Sequence, residues 1–298
     1  MTNIRHQYKL YNQMLLILIM SSIWSSCKKD KADHTSTSTT HPVTAQSSAY
    51  VTQMLEYKPA PGQFINTSTG NATAAQSVLN TNAGLVSLGA FGGYIVLGFD
   101  HTVINQANQN DIIVYGNAST GFAEPGVIWV MQDTNGNGKA DDIWYELAGS
   151  TVNQTGYRRN YSVTYTRPAN GTGDVAWTDN LGNSGTVKAN SFHTQAYYPT
   201  SITSNTYTLA GTLLPSTNID SSNSTYVTST AFAYGYADQT SGGDQIDIAR
   251  AVDTNGNAVQ LTGIDFIKIQ TGIQYNLGWL GELSTEVAGV ADLSLLKK

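Results

Sequence analysis

The feature that most narrows the fold is an acidic loop, Asp133-Thr134-Asn135-Gly136-Asn137-Gly138-Lys139-Ala140-Asp141-Asp142, set between two apolar runs. Oxygen-bearing side chains at Asp133, Asn135, Asn137 and Asp141, with Asp142 beside them, can turn several ligands inward at once, as Ca²⁺ requires. Gly138 falls where a calcium loop turns sharply. The pattern D-x-[DN]-x-[DN]-G is met over its six positions. An EF-hand would then need a bidentate Glu at position twelve, and that position is Trp144. The flanks are Val127-Ile128-Trp129-Val130 and Ile143-Trp144-Tyr145-Glu146-Leu147, which suit strands. The expectation is a calcium loop joining two β-strands; a plain polar hairpin is the alternative, since Asn-Gly is a strong turn signal.

The chain opens differently. Arg5 and Lys9 precede an apolar run from Met14 to Trp24, then Ser25-Ser26-Cys27. That order predicts a secretory signal over residues 1–27, too short for a stable membrane span. Cys27 is the only cysteine, so no disulfide forms within the chain. Its position resembles a bacterial lipobox, which implies lipidation, with Trp24 standing where Leu is usual. Residues 28–48 begin with a charged tract and continue Ser/Thr-rich without an apolar period, as expected for a disordered tether.

The remaining residues, 49–298, are read as one large all-β domain. Charged residues are only 12% of the chain, and Tyr (17) and Gly (28) are abundant. The net charge of −6 argues against nucleic acid and leaves room for cations or neutral ligands. Strand-like runs include 94–100, 111–117, 161–166, 174–179, 227–236, 245–252 and 263–271, separated by Gly/Asn turns. Residues 71–80 suit a short helix or an irregular loop, and 190–225 long loops with short strands. Asp253-Thr254-Asn255-Gly256-Asn257 echoes the first loop without a following acid and reads as a turn. The architecture expected is a jelly-roll β-sandwich with long loops.

Several short words occur in order: Val86 to Gly93, Leu97-Gly98-Phe99-Asp100-His101, Tyr115-Gly116-Asn117, Ala123-Glu124-Pro125-Gly126, Asp133 to Glu146, Gly242 to Asp247, and Ile264 to Lys268. Over about residues 50–292 this string resembles the "cell surface protein" lipoproteins of Bacteroidetes, related to galactose-binding-like (discoidin-type) jelly rolls. The resemblance implies an outer-membrane, surface-exposed location. It also implies neighbours such as outer-membrane transporters, corrinoid uptake systems or adhesion modules, and a structural calcium near the jelly-roll termini. Fold alone does not set function.

Glu124, Asp244 and Asp247 form a candidate second metal site or ligand rim. Glu282 and Glu286, four apart, read as surface acids. His101 and His193 lie in no nucleophile motif, and no G-x-S-x-G, H-E-x-x-H or phosphate loop occurs. The expectation is a non-catalytic, calcium-stabilised, lipid-anchored protein that binds a glycan or corrinoid. Trp144, Tyr145, Trp177, Tyr197 and Tyr198 are the candidate stacking faces. The alternatives are a jelly-roll glycoside hydrolase or lyase, recognisable by paired carboxylates in one cleft, and a structural or adhesion protein with no small ligand.

Overall fold

Apolar residues at every second position put one face of Arg158–Thr166 and of Thr206–Leu213 into a core, while Tyr94–Ile104 and Gly263–Thr271 are buried on both faces. In the computed structural model, which describes residues 39–296, this pattern builds antiparallel sheets. The first strands are β1 (Gln53–Lys58), β2 (Val86–Ser87), β3 (Tyr94–Ile104), β4 (Ile112–Tyr115), β5 (Gly126–Met131) and β6 (Tyr145–Leu147). Then come β7 (Arg158–Thr166), β8 (Val175–Asp179), β9 (Ser184–Val187), β10 (Thr206–Leu213), β11 (Ile219–Asp220) and β12 (Thr228–Ser229). The last are β13 (Asp244–Ile246), β14 (Ala251–Val252), β15 (Gly263–Thr271), β16 (Glu286–Val287) and β17 (Gly289–Asp292). Helix α1 (Ala72–Ser77) is capped by Asn71, whose side chain accepts the Ala74 N–H; α2 (Leu293–Leu296) closes the described chain.

A six-stranded sheet runs β1-β3-β15-β5-β6-β14, and a three-stranded sheet runs β13-β4-β17. They share one core: Ile95, Leu97, Ile128, Val130, Ile267 and Ile269 from the first meet Ile112, Val114, Ile246 and Val290 from the second. This is the sandwich that the alternation predicts. The other face of the six-stranded sheet meets a four-stranded sheet, β10-β7-β8-β9, through polar contacts. Gln270 Nε2 donates to the Ala210 carbonyl (3.0 Å) and Thr212 Oγ1 to Glu146 Oε2 (2.6 Å). That sheet has its own core, including Tyr161, Tyr165, Tyr197, Tyr198 and Tyr207.

Three expectations change. Thr206–Leu213 is a full strand where loops are expected, because Tyr207 and Leu209 alternate into the tyrosine core. Of 227–236 only Thr228–Ser229 pairs as a strand, since Gly235 takes a positive φ of 90° and turns the chain. Residues 39–48, read as tether, are bound to the domain: Thr102 N–H donates to the His41 carbonyl (2.8 Å) and Ser48 N–H to Asp100 Oδ2 (3.0 Å). The residues expected to form a signal segment, Cys27 and the rest of the expected tether lie outside the described residues. Among the described residues no helix is long and apolar enough to cross a membrane.

Candidate functional site

Short β16 pairs with β2, and this places the segment 282–286 beside the loop 117–124. A cavity of about 300 Å³ opens there, lined by residues that include Gln63, Glu124, Glu282 and Glu286. Its apolar wall comes from Phe64, Phe122, Phe192 and Trp279. Phe192 is 74% exposed and Trp279 52% exposed, so both present open ring faces at the rim. Trp279 is nonetheless fixed, because its Nε1–H donates to the Thr225 carbonyl at 2.7 Å. Phe64 packs edge-on against His193, with ring centroids 4.9 Å apart.

The floor is built of carboxyl groups. Oxygens of Glu124, Asp238 and Glu286 all lie within 4.8 Å of one another. Glu282 (3% exposed) and Glu286 (4% exposed) are deeply buried, which corrects the expectation of surface acids. Among the described residues none of these four carboxylates has a Lys or Arg ion pair. Buried charge without a counter-charge is costly, so such groups hold protons instead. Burial, then repulsion from Glu286 and Asp238, pushes Glu124 well above the usual carboxylate range. Burial and Glu286 do the same to Asp238, against the pull of its N–H donors. Glu286 is also raised by burial. Glu282 is pushed up to about 8, mainly by burial.

Local backbone geometry holds these acids in place. Asp238 sits in the left-handed region at φ 55°, a conformation Asp tolerates better than most residues. Its Oδ1 accepts the N–H groups of Asn117 (3.0 Å) and Ala118 (2.9 Å), and its Oδ2 accepts that of Glu286 (2.8 Å). Ser284 gives its N–H to Glu124 Oε1 and its hydroxyl to Glu286 Oε1. Glu282 Oε1 accepts the Gln63 N–H at 2.8 Å, while Glu282 Oε2 is buried with no partner. Two glycines make room: a Cβ on Gly62 would lie 2.4 Å from Glu282 Oε1, and one on Gly116 2.3 Å from Asp238 Oδ1. Gly116→Ala should therefore displace Asp238 and cost roughly 1–3 kcal/mol, the usual range for overpacking. Urea unfolding checks this, and an unchanged midpoint would show that the aspartate is not confined there.

The residues singled out in the sequence lie elsewhere, with one exception. Glu124 belongs to the cavity, but its partners are Asp238 and Glu286, not Asp244 and Asp247. Asp244 is committed to a turn, accepting from Gln239 N–H and Thr240 Oγ1, and Asp247 caps a short 3-10 turn through Ala249 N–H. The 133–142 loop does gather its side chains. Buried Asp133 accepts the N–H groups of Gly136, Asn137 and Gly138. Asn135 and Asn137 reach Asp141, at 3.5 and 3.2 Å, and Asn135 also reaches Asp142 at 3.3 Å. The second loop is a turn closed by Asp253, which accepts from Asn255 and Asn257.

Tyr197 and Tyr198 are fully buried in the tyrosine core and cannot offer faces to a ligand, a correction that follows from their packing beneath the four-stranded sheet. Half-buried Tyr145 packs on the main core. Trp144 stands near Lys268 (Nζ 5.6 Å from the ring), with Trp129 at 4.6 Å and Tyr94 at 5.7 Å. Burial lowers that lysine to about 8. Trp177 packs over Gly185 and lines a second cavity, of about 340 Å³, that also touches Glu282. The aromatic faces at the carboxyl-floored cavity, Phe192 and Trp279, lie in Ser/Asn/Gly-rich stretches where no strand period marks them. Comparison of the chain with protein-family models gives no match, and neither does comparison with curated proteins.

Proposed function

We propose that this chain is a lipid-anchored surface protein that binds a glycan in the cavity above Glu124, Glu282 and Glu286. The observation that carries the reading is the pairing of exposed ring faces, Phe192 and Trp279, with buried hydrogen-bond acceptors, one of them without a partner. Sugars match this chemistry: each ring has an apolar C–H face for stacking and hydroxyls that donate to carboxylates. The volume of about 300 Å³ is at the small end for ligand sites. It suits one or two sugar rings better than a corrinoid. Anchoring through Cys27 and calcium at Asp133, Asn135, Asn137, Asp141 and Asp142 belong to the same proposal; ordering of the loop by the ion would keep the β5–β6 connection fixed.

The test is a glycan array followed by titration calorimetry on the best ligand. Trp279→Ala should weaken binding about tenfold, the effect of losing one central aromatic contact. The melting temperature should stay put, because the ring is half exposed. Equal affinity for the parent and the variant would remove the ligand from this cavity.

One observation favours a second reading, glycoside hydrolysis: two carboxyls, Glu124 and Glu286, line one cavity, although their direct side-chain hydrogen bond is tighter than the about 5–5.5 Å of a retaining pair, so a bound sugar must part them. New reducing ends after incubation with a bound glycan, lost in Glu124→Gln, would favour the hydrolase.

A further inference from the structure

From three carboxylates clustered at the edge of one cavity, two of them lining it together with a fourth, unpartnered one, we infer a divalent-cation site at Glu124, Asp238 and Glu286, taking a hard ion of the Ca²⁺ class. Calcium binds oxygens at about 2.3–2.6 Å, so two ligands on opposite sides of one ion stand about 4.6–5.2 Å apart. The three side chains offer oxygens within 4.8 Å of one another, inside the span that one such ion can bridge. The donor set is all oxygen, with no His or Cys among the three, and this favours a hard cation over zinc or copper.

The second observation is Glu282. Its side chain is buried, it lines the same cavity as Glu124 and Glu286, and its Oε2 has no hydrogen-bond partner. Buried polar atoms in folded proteins are nearly all paired, so an orphan carboxylate oxygen marks a place where a ligand or a water held by an ion completes the structure. The surroundings point the same way. No Lys or Arg ion pair neutralises the cluster among the described residues. Asp238 is already oriented by three backbone N–H groups, from Asn117, Ala118 and Glu286. Those donors use one lone pair on Oδ2 and leave another for a metal. The site is therefore held in shape before the ion arrives, and the ion replaces protons that the acids would otherwise keep.

This site is distinct from the 133–142 loop, which uses other residues. Glu124 stands on the cavity wall and only partly buried, so an ion held there would face the cavity with open coordination positions. Neighbouring hydroxyls of a sugar could fill them. That extension rests on the glycan reading; ion binding itself is measured without any glycan, and the two can fail separately.

The experiment follows melting of the purified full-length chain, after chelation, against added CaCl₂. A parent carrying Asp141→Asn and Asp142→Asn disables the loop. In that parent, calcium at about ten times its dissociation constant should still raise the melting temperature by a few degrees. Extracellular sites require about millimolar ion for half-occupancy. Adding Glu286→Gln, or separately Glu124→Gln, should abolish the increment. Ion-free melting of both variants should equal or exceed the parent's, because each removes a repelling buried acid; this separates loss of the site from loss of the fold. A calcium increment that survives both substitutions overturns the assignment, as does a loop-disabled parent that shows none.

Discussion

Freed of metal ions, the protein should lose stability steadily as pH rises from about 4.5 to about 8, and Glu282→Gln should remove one proton's share of that slope. Glu282 moves from an ordinary value of 4.5 to about 8, first because of burial and then because of the negative charge of Glu286. The folded chain thus keeps a proton that the unfolded chain gives up. Stability from this group is complete below the ordinary carboxylate value and is lost as pH rises through the raised one. The linkage slope is about 1.4 kcal/mol per pH unit for one proton, or roughly 3–5 kcal/mol across the window. Glu124, Asp238 and Glu286 are shifted in the same direction and steepen the decline. Urea unfolding at a series of pH values, in chelator, measures it. Parallel curves for the parent and Glu282→Gln would show that this carboxyl is ordinary.

The second large effect concerns His101. Its Nδ1 meets Asp100 Oδ1 at 2.7 Å and its Nε2 meets Asp292 Oδ2 at 3.0 Å, deep in the fold. Two carboxylates on two ring nitrogens require both nitrogens to donate, which is the imidazolium form. Burial alone would lower the His101 value, but the hydrogen bonds and charges of Asp292 and Asp100 outweigh it, and the net shift is upward. Burial opposes the shift of Asp292 as well, and the bond to His101 leaves it lowered. The histidine's contribution is complete below about 6.5 and is lost as pH rises through its raised value. The contribution of Asp292 is present above the ordinary aspartate range and is lost as pH falls through its lowered value. The clamp is therefore strongest between roughly pH 4 and 6.5. His101→Leu leaves Asp292 buried without a cation and should cost roughly 3–5 kcal/mol. Adding Asp292→Asn removes the stranded charge and keeps Oδ1 for the Ser294 N–H, so part of the loss should return. A single mutant within 1 kcal/mol of the parent by denaturant titration would sink this account.

Much of the fold was legible because alternation is a local signal. Residues 161–166 of β7 show it without interruption, while Gly263–Thr271 is legible as a β-branched apolar run buried on both faces. Thr206–Leu213 shows it too, but Thr and Ala fill its outward positions and Gly211 breaks the pattern, so it resembles the surrounding loops. The site was less legible because its parts meet only in three dimensions. Glu282 and Glu286 are four apart in a polar stretch, and that spacing is typical of a solvated surface. Only the hydrogen bonds to Gln63 and Ser284, and the room left by Gly62 and Gly116, show that they are inside. Asp244 beside Gly242 and Gly243 looked like the loop acid, whereas Asp238 does that work from a left-handed kink that composition does not announce. Glu124 was found because Pro125 and Gly126 mark its loop.

The ends of the domain are stitched together. Strand β17 pairs with β4, β16 pairs with β2, Tyr50 bridges to Ala291, and the Val51 N–H donates to the Val290 carbonyl. A chain made from its N-terminus therefore cannot close its first core until its final strands have emerged. Closure, and with it the carboxylate pocket, waits for the last strands to be made.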